Sequence, residues 1–279
     1  MPRFVVTLTC ADRTGIVHSL ASGVLAAGGN MVESAQFSDT AGRFFMRTSF
    51  DSDEGMEVID GCLRQAVERF EPTLTMSDAA RPTRAIIMVS QQDHCLREVL
   101  YQWDTGAIPI DVVAVVSNHE DCRPLAQSYG LEYVHIPVTE ATKRESEAQL
   151  MELVTSTSAD LLVLARYMQV LSDDVCHAMP NRIINIHHSF LPGFKGAQPY
   201  RQAYDRGVKL IGATAHYVTP DLDEGPIIEQ DVVRVTHAQS AQALAAIGRD
   251  VERRVLSRAV RLHAEHRVLC TGSRTVVFD

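Results

Sequence analysis

The sequence lacks paired cysteines, a long apolar run and an excess of positive charge, and each absence excludes a class of protein. Its six cysteines are scattered, contain no CxxC pair and have no spacing that would close a zinc site, so we expect reduced, packing thiols and no bound metal. They stand at Cys10, Cys62, Cys95, Cys122, Cys176 and Cys270. The N-terminus has one basic residue and a short apolar run that Thr7 and Thr9 interrupt, which predicts neither a signal peptide nor a membrane span. We therefore expect a cytoplasmic protein without a membrane partner.

Positive charge is scarce as well. Lysine and arginine number 26 against 35 acidic residues, which gives a net charge of −9. Because binding to a phosphate backbone requires a basic surface, nucleic acid is not an expected partner. The 279 residues are 46% hydrophobic, which is enough for two packed cores, so a soluble globular enzyme is the expected class.

The first part of the chain alternates between strand and helix patterns. Residues 4–8 alternate in polarity as a strand does, and apolar residues then recur at helical spacing up to Gly28. The predicted buried stripe of this helix is Val17, Leu20, Ala21, Val24 and Leu25. A strand pair over 31–37 and 43–50, a second helix over 59–70 and a short strand over 72–76 follow. The order βαββαβ predicts a ferredoxin-like domain over residues 1–80.

A second α/β domain follows a short linker. Residues 77–83, SDAARPT, are small and polar with one proline, as interdomain linkers are. Near-continuous apolar runs then alternate with helical stretches over 85–186, as in strands that are buried on both faces. Two more strands are predicted over 211–218 and 231–235, and a long helix over 241–266. We therefore expect a doubly wound, mostly parallel sheet in a domain over residues 81–279.

The candidate chemistry lies where the last apolar run meets a loop with proline and glycine. The segment RIINIHHSFLPGFKG, residues 182–196, runs off the end of a buried strand, which is where open α/β sheets place their sites. In a strand, Asn185 and His187 project from one face while His188 points to the other. An amide that stabilises an oxyanion and an imidazole that moves protons suit acyl transfer. Asp223, in a turn-rich loop, is the candidate for the missing carboxylate, so we treat Asn185, His187 and Asp223 as one site.

The residues alone leave other interpretations open. One histidine among eleven is usually a surface or hydrogen-bonded core residue, and the carboxylates at 221, 223 and 224 are equally compatible with a solvated turn. The adjacent histidines suggest a metal, but neighbouring strand side chains diverge, so one ion is not expected to take both rings. Spacing alone thus supports an α/β enzyme with a candidate acid–base site.

Three motifs make residues 85–237 resemble the folate-dependent formyltransferase superfamily. They are Asn185-Ile186-His187, Ser189-Phe190-Leu191-Pro192 and Leu222-Asp223-Glu224-Gly225-Pro226-Ile227, which match Asn-x-His, SxLP and LDxGPI in the same order. The resemblance implies that Asn185, His187 and Asp223 are the catalytic trio, and that a folate is the substrate with no separate cofactor.

Within the superfamily, the segment that begins at His187 resembles the hydrolytic branch, which releases formate from 10-formyltetrahydrofolate. Residues 161–172, LLVLARYMQVLS, are similar to the segment that lines the folate pocket in this family. The resemblance therefore implies that several residues contact the substrate, namely Arg166, Tyr167, Met168, Gln169, Val170, Leu171, Thr219 and Asp221.

The N-terminal βαββαβ unit resembles an ACT domain, and residues 11–17, ADRTGIV, resemble the ligand loop of such domains. This implies an amino-acid effector at Asp12, Thr14, Gly15 and Asn30, next to a helix start whose free N–H groups favour an anion. The alternative is structural, with Asp12 capping the helix and Gly15 easing its packing. ACT-like units commonly pair through sheet edges or helices, so we also expect a homo-oligomer.

A hydrolase and a transferase of this superfamily differ in the molecule that accepts the formyl group. A phosphate-bearing acceptor should need a glycine-rich loop after the first strand of the second domain. The loop here is Ser90-Gln91-Gln92-Asp93-His94, which has no glycine and carries a carboxylate. This favours hydrolysis over transfer to an amine such as glycinamide ribonucleotide. The transferase stays open as the alternative enzyme, and a folate or amino-acid sensor without catalysis as the alternative from another class.

Overall fold

The computed structural model describes residues 1–193 and 199–279, and the chain divides into two compact units. Unit 1 comprises Met1–Pro82, Glu265–Thr271 and Val276–Asp279. Unit 2 comprises Thr83–Ala264 and Gly272–Thr275. Most residues after 264 thus belong to unit 1, although the sequence analysis assigned them to the second domain.

Unit 1 is built on a four-stranded antiparallel sheet with two helices packed on one face. Its first six elements are β1 (Arg3–Ala11), α1 (Ile16–Ala26), β2 (Asn30–Ser38), β3 (Arg43–Asp51), α2 (Met56–Val67) and β4 (Thr73–Asp78), with a 3₁₀ turn (Glu68–Phe70) after α2. The strands lie in the order β2-β3-β1-β4. The predicted βαββαβ order is confirmed, and the small sheet is consistent with a ferredoxin-like domain.

The core of unit 1 follows from strand alternation. Phe4, Val6, Leu8 and Cys10 of β1 are buried in one cluster with apolar residues of β3, α1 and α2. Because side chains of a strand alternate between faces, these four point toward the helices and the residues between them point to the opposite face. One side of the sheet therefore packs against both helices.

The buried face of α1 differs from the predicted stripe. Val17 and Leu25 are 41% and 76% exposed, whereas Ile16 and Gly23 are buried. The reason is the close approach of α2, since a Cβ added at Gly23 would lie 2.9 Å from the Cβ of Ala66. The helix therefore turns its Gly23 side toward α2, and the prediction for Val17 and Leu25 was wrong.

Unit 2 contains a seven-stranded, mostly parallel sheet. Its strands are β5 (Thr83–Val89), β6 (Ile110–Ser117), β7 (Tyr133–His135), β8 (Leu161–Leu164), β9 (Ile183–His187), β10 (Leu210–Tyr217) and β11 (Ile227–Arg234). The order is β11-β10-β9-β8-β5-β6-β7, and only the β9–β10 and β10–β11 pairs are antiparallel. The doubly wound sheet predicted from the apolar runs is confirmed. Residues 79–82 alone separate β4 from β5, so the predicted linker over 77–83 is partly strand.

The helices of unit 2 include the long C-terminal one that the sequence predicted. They are α3 (His94–Asp104), α4 (Arg123–Ser128), α5 (Lys143–Thr157), α6 (Asp173–Ala178), α7 (Pro199–Asp205) and α8 (Ala241–Ala264). Leu244, Val251, Val255 and Leu262 are buried along α8, as its periodicity indicated. Among the described helices, none combines the length and the apolar character that crossing a bilayer requires.

A C-terminal hairpin follows α8, and the sequence analysis did not predict it. Its strands are β12 (Val268–Thr271) and β13 (Arg274–Val277). Phe45 of β3 is buried against Leu269 and Phe278. The guanidinium of Arg47, on the same face of β3, donates to the carbonyl oxygen of Glu265 at 2.9 and 3.1 Å. These contacts explain why most residues after 264 belong to unit 1.

The parallel strands of unit 2 end at one edge of the sheet. The neighbours β5 and β8 connect to strands on opposite sides, and such switch points are where open α/β sheets bind ligands. The N–H of Ser90, after β5, donates to the carbonyl oxygen of Arg166, after β8, at 3.3 Å. The N–H of Met168 donates to the Ser90 hydroxyl at 3.0 Å. The two loops are thus tied together at the edge where β9 also ends.

Candidate active site

A cavity of about 180 Å³ opens at this edge of the unit 2 sheet. Its walls are the loop after β8, the end of β9 and the loop between β10 and β11, with lining residues Leu164, Arg166–Leu171, Asn185–His188, His216, Val218, Thr219, Pro220, Leu222 and Asp223. The predicted trio Asn185, His187 and Asp223 lines this one cavity. The six predicted folate-contacting residues 166–171 and Thr219 line it too, whereas Asp221 lies outside the lining and is exposed.

Strand β9 places the amide and the imidazole. Asn185 lies opposite His216, and His187 opposite Thr214, in the antiparallel ladder with β10. Because residues two apart in a strand share a face, both side chains reach the same cavity.

The buried hydroxyl of Thr214 helps to hold the loop after β9. Thr214 of β10 accepts the N–H of Leu191 at 3.0 Å and donates to the carbonyl oxygen of Ser189 at 2.9 Å. These backbone contacts anchor the loop directly beside His187. Residues 194–196 of the predicted site segment lie outside the described residues.

Asp223 reaches the cavity because its loop lies directly on β10. A Cβ added at Gly225 would lie 1.7 Å from the carbonyl oxygen of Tyr217, so only glycine permits this approach. Asp223 itself has φ 58°, in the left-handed region that aspartate tolerates better than most residues. Its Oδ1 lies 3.2 Å from Nδ1 of His187.

The Asp223–His187 contact favours the ionised carboxylate and fixes which ring nitrogen of His187 faces the cavity. The hydrogen bond from His187, together with the His216 imidazole 3.7 Å away, holds the pKa of the Asp223 carboxyl well below its usual range. The carboxylate is therefore ionised at neutral pH and accepts the N–H at Nδ1 of His187. In the neutral imidazole this leaves Nε2 as the basic nitrogen, and Nε2 is buried without a hydrogen-bond partner among the described residues. A buried nitrogen of this kind is available to a substrate or a water.

His188 contradicts the strand prediction. It was expected on the opposite face from His187, but both rings line the cavity and stack at 5.3 Å between centroids. Strand β9 ends at His187, so the alternation of faces no longer applies at the next residue. Burial, together with the nearby charge of Arg166, lowers the pKa of His188 to about 3. His188 is therefore neutral at physiological pH.

Arg166 directs its charge into the interior of unit 2. Its backbone has φ 66°, and its guanidinium lies 3.3 Å from Oε1 of Gln92 and 3.5 Å from Oε2 of Glu252. Glu252 is fully buried and also accepts hydrogen bonds from the Tyr200 hydroxyl at 2.5 Å and from Nε2 of His94 at 2.7 Å. Burial opposes ionisation of Glu252, but the bond from His94 and the charge of Arg166 outweigh it, so its pKa is lowered.

We call His94, Arg166, Tyr200 and Glu252 the buried acid cluster. No sequence pattern predicted it, because Glu252 is a single charged residue beside the apolar stripe of α8. His94, Cys95 and Glu252 have donor types that bind metals. However, the Arg166 guanidinium beside the carboxylate disfavours a cation, and burial raises the pKa of the Cys95 thiol well above its usual value.

The predicted effector residues lie only in part around one groove of unit 1. Asp12 and Gly15 line an open groove with Arg13, His18 and Gln36, whereas Thr14 and Asn30 are exposed outside its lining. The N-cap of α1 is Gly15, with φ 97° and no capping side chain. The structural alternative in which Asp12 caps α1 was therefore wrong.

Residues 83–260, which carry the mostly parallel sheet and the cavity that the trio lines, match the formyl transferase family. A formyltetrahydrofolate deformylase from Corynebacterium sp. (strain P-1) is 47% identical over 279 residues, 99% of this chain and 98% of that protein. The crystal structure of a formyltetrahydrofolate deformylase from Pseudomonas syringae superposes with a TM-score of 0.97 at 42% identity, over 100% of this chain and 95% of that chain. The chain therefore belongs to the formyltetrahydrofolate deformylase family.

A transferase of the same class is less similar. The glycinamide ribonucleotide transformylase 1 of Symbiobacterium toebii is 33% identical, with a TM-score of 0.67, over 71% of this chain and 95% of that chain. The resemblance to the hydrolytic branch is thus confirmed.

Proposed function

We propose that this protein hydrolyses 10-formyltetrahydrofolate to formate and tetrahydrofolate, with Asn185, His187 and Asp223 carrying the reaction. The observation that carries the proposal is the 3.2 Å contact of Asp223 with His187 inside a cavity that Asn185 also lines. The folate is the only small molecule that the reaction needs besides water.

The reaction begins with a water held at Nε2 of His187. Nε2 takes a proton as the water oxygen bonds to the formyl carbon, and Asp223 stabilises the imidazolium that forms. The carbonyl oxygen becomes an oxyanion, which accepts an N–H of Asn185. The imidazolium then gives its proton to N10 as the C–N10 bond breaks, and the released formic acid loses its proton to solvent. The acid–base groups are expected to contribute on the order of 10² to 10⁴ in rate, and the amide roughly 10² to 10³.

The surroundings of the loop 90–94 favour water over a phosphate-bearing amine. His94 is the first residue of α3, and its ring is bonded to the buried carboxylate of Glu252. Asp93 supplies a second negative charge at the start of this helix and pairs with Arg97. A helix terminus that would otherwise attract the phosphate of such an acceptor is thus bordered by two carboxylates, each already paired with an arginine.

An acceptor-free assay separates hydrolase from transferase. With 10-formyltetrahydrofolate alone, the hydrolase releases formate and tetrahydrofolate in equal amounts. A protein that reacts only after glycinamide ribonucleotide is added is a transferase, and this result would overturn the proposal. A protein without turnover in either case that binds an amino acid tightly is a sensor.

The groove in unit 1 supports an amino-acid effector and an ACT-like regulatory role. None of the described side chains caps the N-terminus of α1, so its N–H groups are available to a carboxylate, and Arg13 adds a positive charge. Of the predicted effector residues Asp12, Thr14, Gly15 and Asn30, the two that line the groove, Asp12 and Gly15, are the proposed contacts. Formate release measured with and without glycine and methionine tests this role, and rates that neither amino acid changes, together with no binding by calorimetry, would contradict it.

A homo-oligomer and a cytoplasmic location complete the proposal. β2 is an edge strand of the unit 1 sheet and carries the exposed apolar side chains Val32 and Phe37, which a second copy would cover. All six cysteines are free thiols, as expected in a reducing compartment such as the cytoplasm. There the released formate would enter one-carbon and purine metabolism. Light scattering that gives the monomer mass at every protein concentration would contradict the oligomer.

A further inference from the structure

His216 contacts two of the three proposed catalytic side chains, and neither composition nor spacing pointed to it. Its Nε2 lies 3.3 Å from Nδ2 of Asn185 and 3.7 Å from Oδ1 of Asp223. The ring is only 2% exposed. A buried polar ring between an amide and a carboxylate constrains both.

Strand register and a bulge in the backbone place the His216 side chain at this position. His216 lies directly opposite Asn185 in the β9–β10 ladder, so the two side chains share a face. On its other side, the pairing of β10 with β11 shifts register between Ala215 and His216, and such bulges re-aim side chains next to active sites. A Cβ at Gly225 would come within 3.3 Å of Nδ1 of His216, so the loop that carries Asp223 packs against the ring.

The tautomer of His216 follows from a backbone carbonyl. Nδ1 lies 2.9 Å from the carbonyl oxygen of Tyr217, and a carbonyl can only accept, so Nδ1 carries a proton. The neutral ring therefore has its lone pair on Nε2. The nearest hydrogen-bonding group to that lone pair is the amide nitrogen of Asn185, which donates to it.

This bond decides which way the amide of Asn185 faces. A carboxamide that donates one N–H to Nε2 of His216 keeps its second N–H for another acceptor. If the ring were doubly protonated, the amide would turn its oxygen toward Nε2 and its N–H groups away.

We propose that His216 is a positioning residue, a neutral imidazole whose Nε2 accepts one N–H of Asn185 and thereby directs the other toward the formyl oxygen. The inference rests on the proposed function. It adds to the catalytic trio a fourth side chain, which orients the amide that binds the oxyanion. His216 touches no reacting atom and transfers no proton.

Two substitutions of His216 by amide side chains of different length test its positioning role. Glutamine carries its terminal amide at about the distance of Nε2, and asparagine at that of Nδ1. We expect His216→Asn to lower kcat on the order of 10² with little change in KM, as for the loss of an oxyanion donor, and His216→Gln to recover most of the rate. His263→Gln is the matched control, because His263 bonds the Tyr217 hydroxyl and does not line the cavity. Equal losses in His216→Asn and His216→Gln would overturn the proposal.

A double-mutant cycle separates positioning from a general structural role. In an Asn185→Ala background, His216→Asn should cause no further loss of kcat, because the amide through which it acts is already absent. Multiplicative losses would overturn the proposal.

A spectroscopic measurement on the wild-type protein makes the test independent of folding in the variants. Nitrogen-15 shifts of the His216 ring should report a protonated Nδ1 and a bare Nε2 at pH 7, and a doubly protonated ring would overturn the proposal. Failure of the proposed function is distinguishable, because it would appear as absent formate release by the wild-type protein whatever the tautomer.

Discussion

Nδ1 of His187 lies 3.2 Å from Oδ1 of Asp223, although one residue ends a strand and the other belongs to a loop beyond the next strand. The contact keeps the carboxylate ionised and leaves Nε2 of the imidazole as the basic atom. It joins an acid–base pair to the amide of Asn185 within one cavity.

Removal of the Asp223 charge should abolish most turnover. Asp223→Asn keeps the shape of the side chain but no longer stabilises the imidazolium, so kcat should fall on the order of 10² to 10⁴ while folate affinity changes little. Formate release and folate titration measure the two effects. Asp174→Asn, at an exposed position on α6, is the control and should leave both unchanged. Full turnover in Asp223→Asn would refute the assignment.

The glycine at 225 should be as necessary as the carboxylate. Gly225→Ala places a Cβ against the carbonyl oxygen of Tyr217, so the loop must move and carry Asp223 away from His187. We expect kcat to fall about 10²-fold, as for small misplacements of catalytic groups. Gly61→Ala in α2, where a Cβ meets nothing within 4 Å, should leave kcat unchanged and stabilise the helix by roughly 0.5–1 kcal/mol. Unaltered turnover in Gly225→Ala would mean that the loop tolerates the displacement.

His188 should make stability fall as the pH is lowered. Its pKa is about 3 in the folded protein against 6.5 in the unfolded chain, so between these values the unfolded chain binds more protons and stability rises with pH. For this group alone, the free energy of unfolding should drop by about 2 kcal/mol from pH 7 to pH 5. In urea unfolding, the free energy of unfolding of the His188→Gln variant should lack this part of the pH dependence.

The control for that experiment is His237→Gln. His237 is exposed, so its replacement should leave the slope of stability against pH as in the wild-type protein. Equal slopes for His188→Gln and the wild-type protein would contradict the burial argument.

Loss of the Glu252 charge should destabilise unit 2. Glu252→Gln leaves the Arg166 guanidinium buried without its counter-charge, and breaking a buried ion pair typically costs about 3–5 kcal/mol. Asp60→Asn, which breaks the exposed pair with Arg64 on α2, should cost roughly 0.3–0.5 kcal/mol. Urea midpoints of both variants measure the difference, and comparable losses would show that the buried acid cluster contributes no more than a surface pair.

Local periodicity was sufficient for most elements and for one part of the site. The two-residue period of β9 predicted that Asn185 and His187 share a face, and the apolar runs predicted a parallel sheet. The same rule failed for His188, because the strand ends one residue earlier. It failed for α1 because Gly23 lets α2 approach closely, and helix contact then decided which residues are buried.

No local sequence pattern predicted the contacts between distant segments. Most residues after 264 belong to unit 1, where Leu269 and Phe278 pack against Phe45, and no local pattern connects residues so far apart in the sequence. His216 is directed at Asn185 by strand register and a bulge, and Glu252 is buried by side chains from α3, α7 and the loop after β8.

The sequence by itself determined most of the element types, their order up to α8 and the chemical identity of the trio, because side-chain periodicity and residue type are local properties. Only the tertiary structure decided that Asp223 meets His187, that His216 stands beside Asn185 and that Glu252 is buried with Arg166. Those contacts depend on strand register and on how closely glycines let segments approach, and both are properties of the packed chain rather than of any single segment.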